Sequence, residues 1–518
     1  MYKEPFTNEA VTDFTAKENR KKMKKALSLV EKELGKEYPL IIGGQKVKKE
    51  DKLVSKNPAH TDCIVGKVAK ADEEDAKRAV KTALTAFDVW KEKDPEVRAG
   101  YLFKAASIMR KRKMELSAWM VYENGKAWEE ADAEVAEAID FLEYYGRQVT
   151  RVSSPPKLHT TPGEINTMYR VPLGIGTVIA PWNFPLALFC GPISAPVVTG
   201  NPVIAKPSKN TPVIAYKFME IIEEAQFPPG VINYLPGLGS EIGEYLVKHP
   251  ETRFINFTGS KETGLKINEM AAQISPEQKY FKKVVAETGG KDAIVVDKSA
   301  DLDAAAKGII VSAFSYQGQK CSACSRAIIH ADVYEKMLEK LVTGVDELQI
   351  GDCLSPDDNM GPVISEEAYN KIMKYIKIGK DEGELITGGQ AIEEMDDGYY
   401  IQPTIFADVD SGARIAQEEI FGPVLSCIKV GDFSEALEVA NDTVYGLVGS
   451  VYTKDRENID RAKKDFHVGT LYFNRASVGA LMGVNPWGGF KLSGTNAKTM
   501  GPDHLLLFLQ GKSVSETL

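Results

Sequence analysis

The chain has 518 residues, more than one compact hydrophobic core usually accommodates, so we expect at least two domains. Its residues are 43% hydrophobic and 26% charged, which is the composition of an ordinary soluble globular protein. The net charge of -9 argues against a nucleic-acid partner, because such partners usually need a basic face.

The first 150 residues predict mainly helices. Residues 16–34 are basic and fit a solvated surface helix, whereas residues 131–145 lack Gly and Pro and predict a long helix. Residues 152–163 form a turn-rich linker. The alternating segment that follows, residues 165–169, predicts an edge hairpin.

From residue 172 onward, short apolar strands alternate with helical segments. Thr211 is the expected N-cap of one helix, with Pro212 at its first position. Helix-separated strands build parallel sheets, so the sequence predicts an α/β fold of two doubly wound domains that join near Glu287. The predicted strands are 176–180, 203–206, 231–235, 253–257, 294–296 and 325–330, and the predicted helices are 211–225, 240–248, 302–314 and 333–348.

Two apolar segments could indicate a membrane span or an interface with a partner subunit. Residues 174–205 contain five prolines and two asparagines, so we expect no membrane span, and the mixed charge of the N-terminal residues argues against a secretory signal. The tail, residues 505–514, is apolar and strand-like. Such a strand needs cover, which a partner subunit or another segment of the same chain can supply.

Cysteine and histidine usage sets two further expectations. The six cysteines do not have the density of a disulfide scaffold, which favours a reducing cytoplasm. The six histidines stand apart from one another and from any cysteine pair, so we expect no metal site.

Cys321 is a candidate nucleophile. It follows a predicted helix and a Gly-containing loop, and it stands beside Lys320, which are surroundings that can present a thiol and lower its pKa. A lone cysteine is more often buried filler. With Cys324 it forms a CxxC, but a redox or zinc site would need a thioredoxin-like context or a second ligand pair, and neither is visible in the sequence.

Two polar residues lie at strand ends: Glu287 ends an apolar run that starts at Val285, and Asn183 follows the strand 176–180. Glu287 precedes Gly289 and Gly290, and glycines let the backbone approach another group closely. It is either part of a salt bridge at a turn or a general base at a domain junction. Asn183, between two prolines, is either structural or able to donate its amide to an oxyanion beyond the end of a strand.

A third strand leads into Gly259 and Ser260 and then a helix. This arrangement offers a helix N-terminus to a phosphate. It lacks the GxGxxG spacing, so it favours dinucleotide binding without specifying it.

Taken together and in this order, six segments resemble the motifs of the aldehyde dehydrogenase superfamily over essentially the whole chain. Within the superfamily, residues 136–145, 320–326 and 488–495 are similar to the bacterial single-function enzymes that act on 1-pyrroline-5-carboxylate. The six segments are Pro-Trp-Asn-Phe-Pro at 181–185, Lys-Pro-Ser at 206–208, Phe-Thr-Gly-Ser at 257–260, Glu-Thr-Gly-Gly-Lys at 287–291, Gly-Gln-Lys-Cys at 318–321 and Glu-Ile-Phe-Gly-Pro at 419–423.

The resemblance implies an architecture. Residues 1–153 and 170–286 would form a Rossmann-like NAD-binding domain, and residues 287–490 a catalytic domain. Residues 154–169 and 499–518 would form a small β element that bridges the subunits of a homo-oligomer, at least a dimer.

The resemblance also implies a reaction, the oxidation of L-glutamate γ-semialdehyde to glutamate in proline degradation. Cys321 would attack the aldehyde carbon, and the Asn183 side chain and the Cys321 N–H would hold the resulting oxyanion. After hydride transfer to NAD, Glu287 would activate the water that hydrolyses the thioester.

The family's binding residues are carried over by position. Lys209 stands where many NAD-preferring members have Glu, so we expect NAD as the cofactor and allow NADP as an alternative. Trp487 stands where Phe is common, which narrows the substrate pocket. The expected cofactor contacts are Trp182, Lys206, Ser208, Lys209, Gly259, Ser260, Glu419 and Phe421, and the expected substrate contacts are Phe184, Ser322, Gly479, Ala480 and Trp487.

Three other hypotheses remain open at this point. One is an aldehyde dehydrogenase for a different substrate, such as succinate semialdehyde, which would share every catalytic motif. The second is a binding protein that has kept the fold and lost activity. The third is a thiol redox protein that uses Cys321 and Cys324.

Overall fold

Two seven-stranded sheets covered by helices form the framework of the computed structural model, which describes residues 4–395 and 397–518. The part before the two large sheets' parallel strands, up to residue 172, carries five helices and six strands. They are α1 (Lys17–Glu31), β1 (Lys36–Tyr38), β2 (Leu40–Ile42), β3 (Gln45–Val47), β4 (Lys52–Asn57), β5 (His60–Ala69), α2 (Glu73–Trp90), α3 (Pro95–Lys111), α4 (Lys113–Asn124), α5 (Trp128–Ser153) and β6 (Glu164–Pro172).

The first large sheet has the strand order β11-β10-β7-β8-β9-β2-β3. Strands β7 to β11 run parallel, and β2 and β3 complete one edge in the antiparallel sense. Its central elements are β7 (Gly176–Ile179), α6 (Ala187–Val198), β8 (Val203–Lys206), α7 (Pro212–Glu224), β9 (Ile232–Tyr234), α8 (Glu244–Lys248), β10 (Phe254–Thr258), α9 (Lys261–Ala272) and β11 (Lys283–Glu287).

The second large sheet has the order β14-β15-β16-β13-β12-β18-β19, and only its edge strand β14 is antiparallel. The elements from here to the tail are β12 (Asp292–Val296), α10 (Leu302–Phe314), β13 (Cys324–His330), α11 (Tyr334–Asp346), α12 (Glu366–Glu382), β14 (Glu384–Thr387), β15 (Thr404–Ala407), α13 (Arg414–Gln417), β16 (Val424–Val430), α14 (Phe433–Asn441), β17 (Tyr445–Gly446), β18 (Val448–Tyr452), α15 (Arg456–Asp465), β19 (Thr470–Phe473), β20 (Phe490–Lys491) and β21 (Leu509–Thr517).

The predicted α/β fold with parallel sheets is confirmed, and α10 begins and ends at its predicted residues. The strands β1 to β5 were not predicted. Three of them are only three residues long and four of the five contain Lys, so they show little of the apolar alternation that marks a strand. The helix predicted at 240–248 is shorter in the structure. Residues 239–243 form a π-helical turn, and the α-helix α8 begins only at Glu244.

The predicted edge hairpin at residues 165–169 is wrong. Strand β6 pairs instead with β21, in an antiparallel ladder that runs from Leu509 opposite Pro172 to Thr517 opposite Glu164. The partner strand comes from the tail, far away in sequence, which local turn signals cannot reveal. The tail therefore receives cover on one edge from its own chain, while residues 504–508 form a short 3-10 turn.

The predicted cap of α7 is only half right. Thr211 precedes the helix, but its hydroxyl makes no hydrogen bond to any residue that the structure describes. The Glu123 carboxylate, from the end of α4, accepts hydrogen bonds from the N–H groups of Val213 (2.8 Å) and Ile214 (2.7 Å). A carboxyl group that accepts from two N–H groups satisfies more of the helix N-terminus than one hydroxyl can, so a tertiary contact replaces the local one. None of the helices in the described ranges combines the length and apolar character needed to cross a bilayer.

Candidate active site

Cys321 follows a strained turn at the end of α10. Tyr316 and Gln317 have left-handed φ values of 50° and 56°, and Gly318 follows at 66°. A Cβ on Gly318 would lie 2.4 Å from the carbonyl oxygen of Gly422, so only glycine fits there. A left-handed backbone conformation costs energy for residues other than glycine, such as Tyr316 and Gln317, and persists only where the surrounding structure enforces it. The turn thus fixes the backbone just before the half-buried Cys321.

Cys321 lines two cavities that meet at its side chain. The first, here the Glu287 cavity, has a volume of about 360 Å³, and the second, here the Lys206 cavity, about 510 Å³. All five expected substrate residues, Phe184, Ser322, Gly479, Ala480 and Trp487, line the Glu287 cavity. All eight expected cofactor residues line the Lys206 cavity, and these are Trp182, Lys206, Ser208, Lys209, Gly259, Ser260, Glu419 and Phe421.

Asn183 is buried and lies against the loop that carries Cys321. Its Nδ2 donates one hydrogen bond to the carbonyl oxygen of Gln319, at 3.0 Å. An amide nitrogen has two protons, so the second remains for another acceptor. Asn183 also lines the Lys206 cavity beside Cys321, which is where a donor to a developing oxyanion is needed.

Glu287 ends strand β11 and is 9% exposed. Neither of its carboxylate oxygens has a hydrogen-bond partner in the described part of the chain, and it forms no ion pair there, so the salt-bridge interpretation is wrong. Burial raises its pKa to about 8, and the nearby charge of Lys498 opposes this rise. An unpaired carboxyl with a pKa near neutrality, in a cavity with a thiol, is suited to act as a base.

The expectation that Lys320 lowers the pKa of Cys321 is wrong. The Lys320 ammonium donates hydrogen bonds to Glu130 (2.7 Å) and to Ser315 (2.9 Å), so a carboxylate already balances its charge. Burial raises the pKa of the Cys321 thiol, and the surrounding carboxyls raise it further, Asp292 more than the others. A cation placed in the site would favour the thiolate.

Cys324 lies apart from both cavities. It begins β13, is buried, and its thiol donates to the carbonyl oxygen of Arg326 at 3.4 Å. Burial raises its pKa to about 12, and all six thiols in the chain are free. The position suits a packed core residue better than a redox partner.

The Lys206 cavity lies beyond the carboxyl ends of β7, β8 and β10. Lys206 ends β8, and its ammonium donates to the carbonyl oxygens of Pro207 and Gly237, both at 3.2 Å. Ser260 is the N-cap of the twelve-residue α9, whose N-terminus therefore faces the cavity. Helix N-termini and lysines attract phosphates, so this end suits a pyrophosphate.

The other end of the Lys206 cavity is shaped around Glu419. Its Oε1 accepts a hydrogen bond from the Gly290 N–H at 2.9 Å, and a Cβ on Gly289 would lie only 2.1 Å from that oxygen. The rings of Trp182 and Phe421 pack edge-to-face at 5.4 Å. A fixed carboxylate can bind ribose hydroxyls, so the residues present fit a dinucleotide such as NAD.

Lys209 lies at the rim of the Lys206 cavity. Its ammonium is 3.7 Å from the Glu367 carboxylate, and both side chains are largely exposed. The pair leaves the lysine charge only partly balanced, because exposed ion pairs are weak.

Contacts with neighbouring side chains fix the positions of residues expected to contact the substrate. Phe184 lies under the buried ammonium of Lys126, which is 3.9 Å from the ring centroid and pairs with Glu134. Ser477 Oγ donates to the carbonyl oxygen of Ser322 at 2.9 Å and so joins the loop before Gly479 to the Cys321 loop. These contacts fix the walls of the Glu287 cavity.

Comparison with known proteins identifies the family. The sequence model of the aldehyde dehydrogenase family matches residues 45–514. The chain belongs to the aldehyde dehydrogenase family.

Individual members of the aldehyde dehydrogenase family match the chain along its whole length. The 1-pyrroline-5-carboxylate dehydrogenases of Geobacillus kaustophilus and Geobacillus thermodenitrificans are each 55% identical over 513 residues, covering 99% of both chains. A 1-pyrroline-5-carboxylate dehydrogenase from Thermus, solved with bound NAD, superposes with a TM-score of 0.98 at 53% identity and covers 100% of both chains.

Sequence reasoning missed two charged residues of this aldehyde dehydrogenase site. Glu137 on α5 lines the Glu287 cavity without an ion pair or hydrogen bond among the described residues, and burial raises its pKa to about 8. Its signal was the helical spacing with Glu130 and Glu134, which places three carboxyls on one face. Lys498, beside Glu287, had no such signal, because a single lysine in a loop is usually solvated.

Proposed function

We propose that this aldehyde dehydrogenase oxidises L-glutamate γ-semialdehyde, the open form of 1-pyrroline-5-carboxylate, to L-glutamate with NAD. The observation that carries the proposal is the Glu287 cavity, which joins an unpaired carboxyl, Glu137, to the thiol of Cys321 and to the loop at Gly479 and Ala480. The named relatives, 55% identical over nearly the full length, support the same substrate. The reaction is the second step of proline degradation and yields glutamate.

The charges of the semialdehyde have counterparts in this cavity. The α-ammonium group fits the Glu137 carboxyl, since a ligand cation favours the ionised form of a carboxyl whose pKa burial has raised. The α-carboxylate fits Ser322 and the backbone N–H groups of Gly479 and Ala480. The aromatic side chains of Phe184 and Trp487 would flank the aliphatic chain, as their positions on the cavity wall allow.

The first chemical step follows from Cys321 and Asn183. After the thiol has lost its proton to solvent, the Cys321 thiolate adds to the aldehyde carbon, and the negative charge passes to the carbonyl oxygen. The free amide proton of Asn183 and the Cys321 N–H then donate to this oxygen. Preorganised donors of this kind contribute about 3–4 kcal/mol each where they have been removed one at a time.

The second step releases the product. Bound NAD supplies the acceptor for the hydride that leaves the aldehyde carbon. Glu287 then removes a proton from the water that attacks the Cys321 thioester, and its unpaired oxygens leave room for that water. Hydrolysis frees glutamate and returns the thiol.

The division into domains remains a proposal with the boundaries given above, 1–153 with 170–286 for NAD binding and 287–490 for catalysis. It is supported by the two large sheets, since the parallel strands of the first lie within 176–287 and the strands of the second within 292–473.

Assembly and location are proposals as well. Strands β6 and β21 expose Ile165, Tyr169 and Val514 to between 39% and 49%, which favours a homo-oligomer in which a second copy covers them. The six free cysteines are consistent with a reducing cytoplasm.

The deciding experiment compares kcat/KM for L-glutamate γ-semialdehyde and succinate semialdehyde, each with NAD and with NADP. We expect the glutamate semialdehyde with NAD to give the highest value. A higher value for succinate semialdehyde would contradict the proposal, because that substrate lacks the ammonium group that Glu137 is proposed to bind.

A further inference from the structure

The N-terminal residues 4–15, here the strap, run as extended chain and turns along the mouth of the Glu287 cavity. Glu9 and Val11 of the strap line the cavity. Phe6 packs edge-to-face on Tyr144 of α5, with ring centroids 5.1 Å apart. The strap is therefore part of the cavity wall rather than a loose end.

The strap takes up both oxygens of Asp140. Asn8 Nδ2 donates to Oδ2 at 2.8 Å, and the N–H of Glu9 donates to Oδ1 at 2.7 Å. Asp140 lines the cavity and lies three residues after Glu137 on α5, so the two carboxyls share a helix face. Because the strap satisfies Asp140, Glu137 remains as the carboxyl of this pair that a ligand can engage.

The same amide also reaches the loop that carries Gly479 and Ala480. Asn8 Nδ2 also donates to the carbonyl oxygen of Met482, at 3.1 Å, two residues beyond Ala480. The beginning of this loop is tied by Ser477 to Ser322, and Asn8 ties its later part. One side chain thus connects the acidic face of α5 to the loop proposed to bind carboxylate.

We propose that Asn8 is a positioning residue for substrate specificity. By joining Asp140 to Met482 it fixes the separation between Glu137 and the Gly479 loop, so the cavity favours an aldehyde that carries both an ammonium and a carboxylate group. The inference rests on the proposed function. An uncharged aldehyde uses neither charged end, so its reaction does not depend on this separation.

The test is the Asn8→Ala variant of the full chain. We expect KM for L-glutamate γ-semialdehyde to rise about 10-fold with kcat within about twofold, the size expected for hydrogen bonds to a charged group. KM for NAD and kcat/KM for propanal should stay at wild-type values. Thr15→Ala is the matched control, since Thr15 is exposed and hydrogen-bonds only locally to Asp13.

Equal losses with both aldehydes, or an unchanged KM for the semialdehyde, would overturn the proposal. If Asn8→Ala folds poorly, Asn8→Asp serves instead, because it keeps the side-chain shape and removes the amide donor. At pH 8 we expect KM of this variant to rise for L-glutamate γ-semialdehyde and kcat/KM for propanal to stay at the wild-type value. A wild-type KM for the semialdehyde would again overturn the proposal. A wild-type enzyme that oxidises propanal but not the glutamate semialdehyde would instead refute the proposed function.

Discussion

The ammonium group of Lys498 lies beside the buried carboxyl of Glu287, where the carbonyl oxygens of Gly469 and Gly488 hold it at 2.6 Å and 2.7 Å. Gly488 packs against both residues. A Cβ at this position would lie 2.9 Å from the backbone nitrogen of Lys498 and 3.1 Å from a Glu287 carboxyl oxygen, which leaves little room for a side chain. Burial raises the pKa of Glu287 to about 8, and the Lys498 charge limits the rise. A fixed cation thus sets the pH at which the proposed base ionises.

Replacing Lys498 with Met should move the acidic limb of the pH profile to higher pH. Glu287 acts as a base only when ionised, so hydrolysis rises as the pH passes through its pKa, and loss of the cation raises that pKa further. The measurement is kcat against pH at saturating substrates. Lys491→Met is the control, because Lys491 also donates to two carbonyl oxygens, those of Asn441 and Thr443. An unmoved limb would contradict the role given to Lys498.

The Cys321→Ser variant should form NADH at least about 1000-fold more slowly than the wild type, because a serine oxygen is a far weaker nucleophile at neutral pH. Cys324→Ala should remain active, since its thiol is buried against the Arg326 carbonyl oxygen. NADH absorbance reports both rates. Activity that depends on Cys324 would favour the thiol redox hypothesis.

Gly289→Ala should impair NAD binding. The added Cβ would lie 2.1 Å from Glu419 Oε1, so the carboxylate must move from the position in which it can bind ribose hydroxyls of NAD. We expect KM for NAD to rise about 10-fold or more, from the loss of hydrogen bonds to a charged group. Gly100→Ala is the control, because its Cβ meets nothing within 4 Å. An unchanged KM for NAD would argue against this role of Glu419.

Lys209→Glu should reduce the use of NADP. A lysine at the rim can pair with a 2′-phosphate, whereas a glutamate repels it and can accept a hydrogen bond from the 2′-hydroxyl of NAD. We expect kcat/KM with NADP to fall about 10-fold or more while that with NAD is maintained or rises. Lys81→Glu, at an exposed position outside both cavities, controls for net charge. Equal effects on both cofactors would show that Lys209 does not discriminate.

Glu137→Gln should weaken binding of L-glutamate γ-semialdehyde. The variant keeps the side-chain shape and loses the charge opposite the ammonium group, so KM should rise about 10-fold, as expected for a charge-assisted hydrogen bond. KM for succinate semialdehyde should not rise, since that molecule has no ammonium group. Equal increases for both aldehydes would place the ammonium site elsewhere.

Six strands of the two sheets were predictable because their information is local. Helix α10 shows the apolar spacing and the boundary residues that define it, and the strands that precede Asn183 and Ser260 are apolar runs bounded by Pro or Gly. The cap of α7 was not predictable, because Glu123 reaches it from 90 residues away in sequence. The same holds for the pairing of β6 with β21.

Within the site, local motifs indicated residue types and the structure determined their electrostatics. Lys320 stands next to Cys321 in sequence, yet its ammonium group donates a hydrogen bond to the carboxylate of Glu130. No motif near Lys320 in the sequence indicates this partner. Glu137 and Lys498 acquire meaning only from burial and from what faces them. A single sequence cannot supply either of these.

Cys321 lies where the Glu287 and Lys206 cavities meet. Leu188, Thr258 and Thr288 also line both cavities, and beyond this junction each cavity has its own lining side chains. An aldehyde and a dinucleotide can therefore approach the thiol from different directions without displacing each other. The order in which they bind is then a matter of relative affinity and of the charge each brings to the thiol, rather than of one ligand blocking the path of the other.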